Sequence, residues 1–282
     1  MSQWSLNPCK EVLVIGCGLM GAGIAQVVSQ AGINVVVSDR TEADLEKGKK
    51  QIEKGLAKQN ERDAGTVLNR ITFTTNAEDG KNSDIAIEAV PEKIELKKEV
   101  FQTLDSFMKP EAILASNTSS LSIAAISSVT ERPEKVIGTH FFSPVPIMKL
   151  LEIVRGINTS EETAAFARSF SEQIDKEVIT AQDYPGFTVN RVLVPMLNEA
   201  AFLIMEGNDP ADVDKGMMYG ANHPIGPLKL ADMVGIDVLL FTLESLYEGF
   251  NDSKYRPCPL LKRMVEARHL GKKSGKGFYD YT

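Results

Sequence analysis

Residues 12–32 read VLVIGCGLMGAGIAQVVSQAG: four apolar residues run into Gly16, Gly18 and Gly21, and a small-residue stretch of helical character follows from Leu19. No other segment restricts the fold as much. A strand that stops at a glycine-rich turn and leads straight into a helix suits a parallel sheet, because the helix carries the chain back to the end where the next strand begins. The turn also leaves unpaired N–H groups at the start of the helix, which is an anion site in the making. Alone, a G-x-G-x-x-G stretch is equally a tight turn without a ligand, so its surroundings decide.

The alternation continues. Short apolar runs at 12–15, 35–38, 71–74, 85–88, 113–115 and 136–139 read as strands. Between the fourth and fifth, Leu96, Val100, Phe101, Leu104 and Phe107 recur at helical spacing and define one buried face. Runs at 150–154 and 177–179 flank a helix expected from about 161 to 174. After DYPGF (183–187) the periodicity is helical throughout, and residues 234–250 are apolar over more than half the helix circumference. The expected architecture is α/β: a Rossmann-like, doubly wound, mostly parallel sheet over residues 1–186. An all-α C-terminal domain is expected over 187–282, with the apolar helix central to it or packed on a second subunit.

Composition removes several function classes. The 282 residues carry a net charge of −7 with no dense basic block, which disfavours nucleic acid as a partner. Three scattered cysteines, Cys9, Cys17 and Cys258, supply neither a disulfide framework nor a metal ligand set. No run reaches the length of a membrane span and no signal peptide is visible, so a cytoplasmic location is expected.

Context favours the ligand-binding reading of the glycines. Gly16 makes the turn, Gly18 permits close approach to phosphate, and Gly21 lets helix and strand pack. Asp39 ends the second strand roughly 20 residues past the first glycine, where an acid bonds an adenine ribose hydroxyl. It favours NAD over NADP, although Arg40 stands beside it. Cys17, inside the loop, reads as a small filler.

A hydride transfer to or from an alcohol needs a proton carrier, and histidine suits neutral pH. His269 lies in a basic surface segment and His223 in a proline-bounded loop, whereas His140 ends a strand at the edge where doubly wound sheets bind ligands. Glu152, in KLLEIV, has apolar neighbours on both strand faces and is therefore expected to be buried. His140 is its natural partner; backbone donors or a lysine are the alternative. In ASNTSS (115–120) the hydroxyls and amide either bond a substrate or nicotinamide, or cap the helix that follows. Asn190 sits one turn into the second domain and would alone read as surface. Lys50, Lys54, Lys58 and Arg62 recur every four residues, which suits a solvated face or a phosphorylated handle equally.

Taken together, GCGLMGAGIAQ, DIAIEAVPE, SNTSSLSI, THFFSPVPIMKLLEIV, DYPGFTVNRVL, GANHPIGPLKLADMVGID and GKKSGKGFY resemble the short-chain L-3-hydroxyacyl-CoA dehydrogenases. Among these, the resemblance is to the bacterial 3-hydroxybutyryl-CoA dehydrogenases, and it spans essentially the whole chain. It implies an NAD-dependent oxidoreductase acting on an acyl-CoA substrate, with His140 and Glu152 as the acid/base pair and Ser119 and Asn190 near the reacting oxygens. Implied cofactor contacts are Gly16, Gly18, Leu19, Met20, Gly21, Asp39, Glu92, Lys97, Asn117 and Lys273. Lys54 and Lys58 are implied coenzyme A contacts, and a homodimer through the C-terminal domain is implied. Ser143 departs from the pattern, since many members carry Asn there. The residue readings by themselves leave open a sugar-acid or hydroxy-acid dehydrogenase, and a non-catalytic NAD-binding protein of the same fold.

Overall fold

Strand direction organises the first part of the molecule. The computed structural model describes residues 8–59 and 63–281, and the chain divides into two compact units, Met1–Asp183 and Tyr184–Thr282. The strands of the first unit are β1 (Glu11–Ile15), β2 (Asn34–Ser38), β3 (Ile71–Thr74), β4 (Ile85–Glu88), β5 (Ile113–Ser116), β6 (Val136–Phe141), β7 (Leu150–Arg155) and β8 (Glu177–Gln182). They form one sheet in the order β3-β2-β1-β4-β5-β6-β7-β8. Every neighbouring pair is parallel except β6 and β7. Helices α1 (Leu19–Gln30), α2 (Glu42–Lys58), α3 (Ala64–Asn69), α4 (Ile94–Phe107), α5 (Ile123–Ser127) and α6 (Glu161–Gln173) make the crossovers.

The eight expected strands all form. β1 lies inside the sheet, which is why Val12, Leu13 and Val14 run together without alternation and are fully buried. Two strand ends move by more than one residue. β6 extends through Phe141 because β7 returns antiparallel and pairs with it from Gly138 to Phe141, so His140 lies within the strand rather than at its end. β8 extends to Gln182 because it pairs with all six residues of β7.

The helices also correct details. In α4, Phe101 and Leu104 are buried, but the fully buried neighbour in the turn before them is Lys97, while Leu96 is only half covered. The NTSS segment does not cap α5. That role falls to Ser122, whose hydroxyl accepts from the Ala125 N–H, together with Asp183, whose carboxylate accepts from the Ile123 and Ala124 N–H groups.

The second unit contains α7 (Val189–Met205), α8 (Pro210–Lys215), α9 (Pro227–Val234), α10 (Ile236–Phe250) and α11 (Pro259–Glu266). Its core is built on Leu197, Ala201, Leu239, Leu243, Leu246 and Leu261. The apolar stretch at 234–250 is not one helix: Gly235, at φ +105°, breaks it between α9 and α10. The helical reading also stops short of the C-terminus. Residues 271–280 form isolated bridges around Asp232, whose buried carboxylate accepts from the Phe278 and Tyr279 N–H groups and the Tyr281 hydroxyl.

Phe101 anchors α4 with no exposed surface. Phe101→Ala is expected to cost about 3–5 kcal/mol, the usual range for emptying a buried aromatic site. The loss would be read as a lower urea midpoint at unchanged slope.

Candidate active site

The carboxyl ends of β1, β2, β4 and β5 share one edge of the sheet, and the glycine loop occupies it. The Gly16 N–H donates to the Ser38 carbonyl at 2.8 Å, extending the ladder past β1. Gly16 has φ +98°, and a Cβ there would lie 2.8 Å from the Ala89 carbonyl oxygen. A Cβ on Gly21 would run into the carbonyl oxygen of Gly16, so the first turn of α1 can sit on the loop only without a side chain. Gly18 is different: a Cβ would meet nothing within 4 Å. It is the N-cap of α1 and offers no side-chain acceptor to the helix. Its neighbour Leu19 is exposed and Met20 half-buried. Open space beside uncapped N–H groups is what a pyrophosphate needs, and these residues fit one.

Asp39 stands beside the loop. One carboxylate oxygen accepts from the Cys17 N–H at 2.6 Å and the other from the Arg40 N–H at 2.7 Å. Two backbone donors fix its orientation at the end of β2. The Cys17 side chain fills the gap against Gly48 of α2. Burial, reinforced by the negative charges of Asp39 and Asp44, pushes its thiol up to about 12. It is a packing residue, as the sequence suggests.

His140 and Glu152 face each other directly across the antiparallel β6–β7 pair. His140 Nδ1 and Glu152 Oε2 are 2.7 Å apart, and both side chains are buried. An ionised carboxylate can only accept, so Nδ1 carries the proton. The imidazole also packs on Phe142, ring centroids 4.5 Å apart. Pairing supplies what a buried carboxylate requires, and the imidazole is held by a bond and a ring contact.

A second charged cluster joins the ends of β4 and β5. Glu88, with no exposed surface, accepts from Lys97 Nζ at 2.6 Å, from the Val90 N–H at 2.7 Å and from the Ser116 hydroxyl at 2.7 Å. Lys97 reaches Glu92 at 3.2 Å as well. The other oxygen of Glu92 accepts from the Thr118 hydroxyl at 2.6 Å, the Ser119 N–H at 2.8 Å and the Ser120 N–H at 3.1 Å. Asn117 Oδ1 accepts from the Phe141 N–H at 3.0 Å, tying the same loop to the residue after His140. Thus Glu92, Lys97, Asn117 and Ser119, singled out separately in the sequence, share one network. Glu88 was not among the sequence candidates. Its signal was available: an acid closing an apolar strand in DIAIE, the same pattern that marked Glu152 in KLLEIV.

The remaining candidates lie elsewhere. Lys54 and Lys58 are exposed on α2, and among the described residues neither forms an ion pair, whereas Lys50 meets Glu46. Arg62 lies outside the described residues. Ser143 is exposed in the β6–β7 loop. In the second unit, Asn190 is in the first turn of α7, and Lys273 pairs with Asp237 at 2.5 Å. His223 sits in the loop before α9, its N–H donating to the Met217 carbonyl.

Comparison with known proteins points to one family. Residues 11–184 match the model of the 3-hydroxyacyl-CoA dehydrogenase NAD binding domain, and residues 186–281 match the C-terminal domain of the same family. The chain is 48% identical over 279 residues to a probable 3-hydroxybutyryl-CoA dehydrogenase of Bacillus subtilis, covering 96% of this chain and 97% of that protein. It is 44% identical to the 3-hydroxybutyryl-CoA dehydrogenase of Bradyrhizobium diazoefficiens, covering 96% and 95%. Among solved structures, the (S)-3-hydroxybutyryl-CoA dehydrogenase of Ralstonia eutropha superposes with a TM-score of 0.93 at 44% identity, covering 97% and 99% of the two chains.

Burial raises the thiols of Cys9 and Cys17 to about 12 and raises Cys258 as well. Raising a thiol pKa removes the reactive thiolate, leaving about one in ten thousand ionised at pH 8 for a pKa near 12. The native protein should therefore be silent to a thiol reagent at pH 8 and should release all three thiols on denaturation. A fast-reacting native thiol would contradict the packing role of Cys17.

Proposed function

We propose, for a chain that belongs to the 3-hydroxyacyl-CoA dehydrogenase family, that it interconverts (S)-3-hydroxybutyryl-CoA and acetoacetyl-CoA with NAD(H) and uses His140 and Glu152 as its acid/base pair. The family makes it an NAD-dependent oxidoreductase. The observation that carries the finer reading is the buried 2.7 Å His140–Glu152 bond between β6 and β7, with β6 running parallel to the strands whose carboxyl ends hold the glycine loop. Relatives named for the hydroxybutyryl substrate, 44–48% identical over nearly the whole chain, support the choice of acyl group.

Glu152 holds the proton of His140 on Nδ1, so proton exchange with the substrate runs through Nε2. In the reductive direction the protonated imidazole gives its Nε2 proton to the oxygen of the β-ketone as negative charge develops there. NADH, when bound, supplies the hydride for the ketone carbon. In the oxidative direction His140 takes the hydroxyl proton, and the imidazolium that results lies against a buried carboxylate with little water to screen it. Ser119, held by its N–H on Glu92, and Asn190 bond the substrate's polar oxygens. Gly16, Gly18 and Gly21, with Leu19 and Met20, hold the pyrophosphate, and Asp39 takes the adenine ribose. Lys54 and Lys58, exposed on α2, meet the phosphates of coenzyme A. Glu92, Lys97, Asn117 and Lys273 belong to the cofactor side.

The same reading assigns residues 1–186 to NAD and residues 187–282 to substrate and to a homodimer. Val234, Val238, Phe241 and Tyr247, exposed on and next to α10, support the dimer surface. The three buried free cysteines suit a reducing cytoplasm. No helix among the described residues is long and apolar enough to cross a membrane.

The test is to mix the protein with acetoacetyl-CoA and follow oxidation of NADH, then of NADPH. Fast loss of NADH alone is the expected result; fast loss of NADPH would overturn the role given to Asp39. Turnover only with hydroxy acids that lack coenzyme A would overturn the substrate. His140→Gln should lower kcat about 10²–10⁴-fold, the range for removing a general acid. NADH binding, followed by its fluorescence, should persist. A variant that keeps near-normal turnover would remove His140 from the mechanism.

A further inference from the structure

Lys97 sits between two carboxylates, and they are not equivalent. Glu88 is completely buried and grips the ammonium at 2.6 Å; Glu92 is partly exposed and lies at 3.2 Å. The third contact of Nζ is the Val90 carbonyl at 3.4 Å. Glu88 is itself fixed from two more sides, by the Val90 N–H and by the Ser116 hydroxyl of the adjacent strand. Ser116 Oγ in turn accepts from the Thr118 N–H at 3.2 Å. Glu92 therefore gives one oxygen to Lys97 and the other entirely to Thr118, Ser119 and Ser120. One ammonium shared by two carboxylates in a dry setting is a balance, because each anion limits how far the cation moves toward the other.

We propose that Glu88 is a positioning residue for the reaction: by anchoring Lys97 and Ser116, it leaves Glu92 to hold the 117–120 loop, and with it Ser119, in its working place. The assignment rests on the dehydrogenase reading above. Glu88 does not touch substrate; it acts through Ser119. With the Glu88 charge removed, Glu92 becomes the sole anionic partner of a buried ammonium and is drawn from its donors on Thr118, Ser119 and Ser120 toward Nζ. A glutamine at 88 keeps one acceptor oxygen, and with that oxygen taken by the Lys97 and Val90 donors the Ser116 hydroxyl loses its acceptor, so the loop is released at two points, Ser116 and Glu92.

The experiment is a double-mutant cycle on Glu88→Gln and Ser119→Ala, with acetoacetyl-CoA at saturating NADH. Glu88→Gln should lower kcat about tenfold with NADH held saturating at the Kd that fluorescence gives for each variant, so that weaker cofactor binding through Lys97 and Glu92 does not enter kcat. In the Ser119→Ala background the same substitution should change kcat by less than about twofold, because residues acting as one unit do not add. Losses that multiply, or a Glu88→Gln kcat equal to wild type, would overturn the proposal. A lower melting temperature with unchanged kcat would overturn it too, since that is the mark of a purely structural bond. If Glu88→Gln does not fold, Ser116→Ala takes its place in the cycle with the same coupling expected and a smaller loss, because it leaves both carboxylates and the ammonium intact. Wild-type protein is assayed alongside: if it does not reduce acetoacetyl-CoA, the dehydrogenase reading falls and this assignment with it. If wild type is active and Glu88→Gln matches it, only the role of Glu88 falls.

Discussion

Parallel strand pairing is the constraint from which the rest of this molecule follows. Strands that run the same way bring their carboxyl ends to one edge, however far apart they are in the chain. Backbone bonds continue that alignment beyond the strands. The Gly16 N–H takes the Ser38 carbonyl, the Ala89 N–H takes the Ile15 carbonyl, and the Asn117 N–H takes the Glu88 carbonyl. These steps lead from β2 to β1, β4 and β5, and set Gly16, Asp39, Glu88 and Asn117 along one line of the structure. The step to β6 is completed by a side chain, Asn117 Oδ1 on the Phe141 N–H.

The single reversal in the sheet does separate work. An antiparallel pair places residues directly opposite one another, so β7 can set Glu152 against His140 with no freedom of register. A parallel neighbour would offset the two and leave each to find its partner through a longer reach. Phe142, just past the end of β6, packs its ring on the imidazole.

Both charged clusters obey one rule: a buried charge persists only with a partner and with its other lone pairs or protons bonded. Glu152 has His140. Glu88 has Lys97, a backbone N–H and a hydroxyl. The Lys97 ammonium is spread over two carboxylates and a carbonyl. The two clusters meet at the 117–120 loop, which Glu92 holds from one side and Phe141 from the other. Energetically this is a poor way to gain stability and a good way to fix geometry, since each group has few alternative partners.

Strands were legible because burial on both sheet faces requires runs such as VLVI, VVVS and IAIE, and all eight appeared within a few residues of their expected places. The glycine turn was legible too, because only glycine tolerates φ +98° at Gly16 and the close approach at Gly21. Glu152 declared itself by being an acid among apolar residues, and Glu88 carried the same mark unnoticed. The composition and periodicity of the chain therefore determined by themselves the sheet, the loop at its edge and the helical second unit. Which charges meet was decided only in three dimensions. Helical periodicity points Leu96 inward from α4, yet Lys97 is the residue that is buried, because Glu88 and Glu92 wait there to neutralise it. Likewise the extension of β6 that takes in His140 depends on β7 returning beside it. Periodicity records what avoids water; the pairing of charges depends on which strand ends the sheet brings together, and that is a property of the folded chain alone.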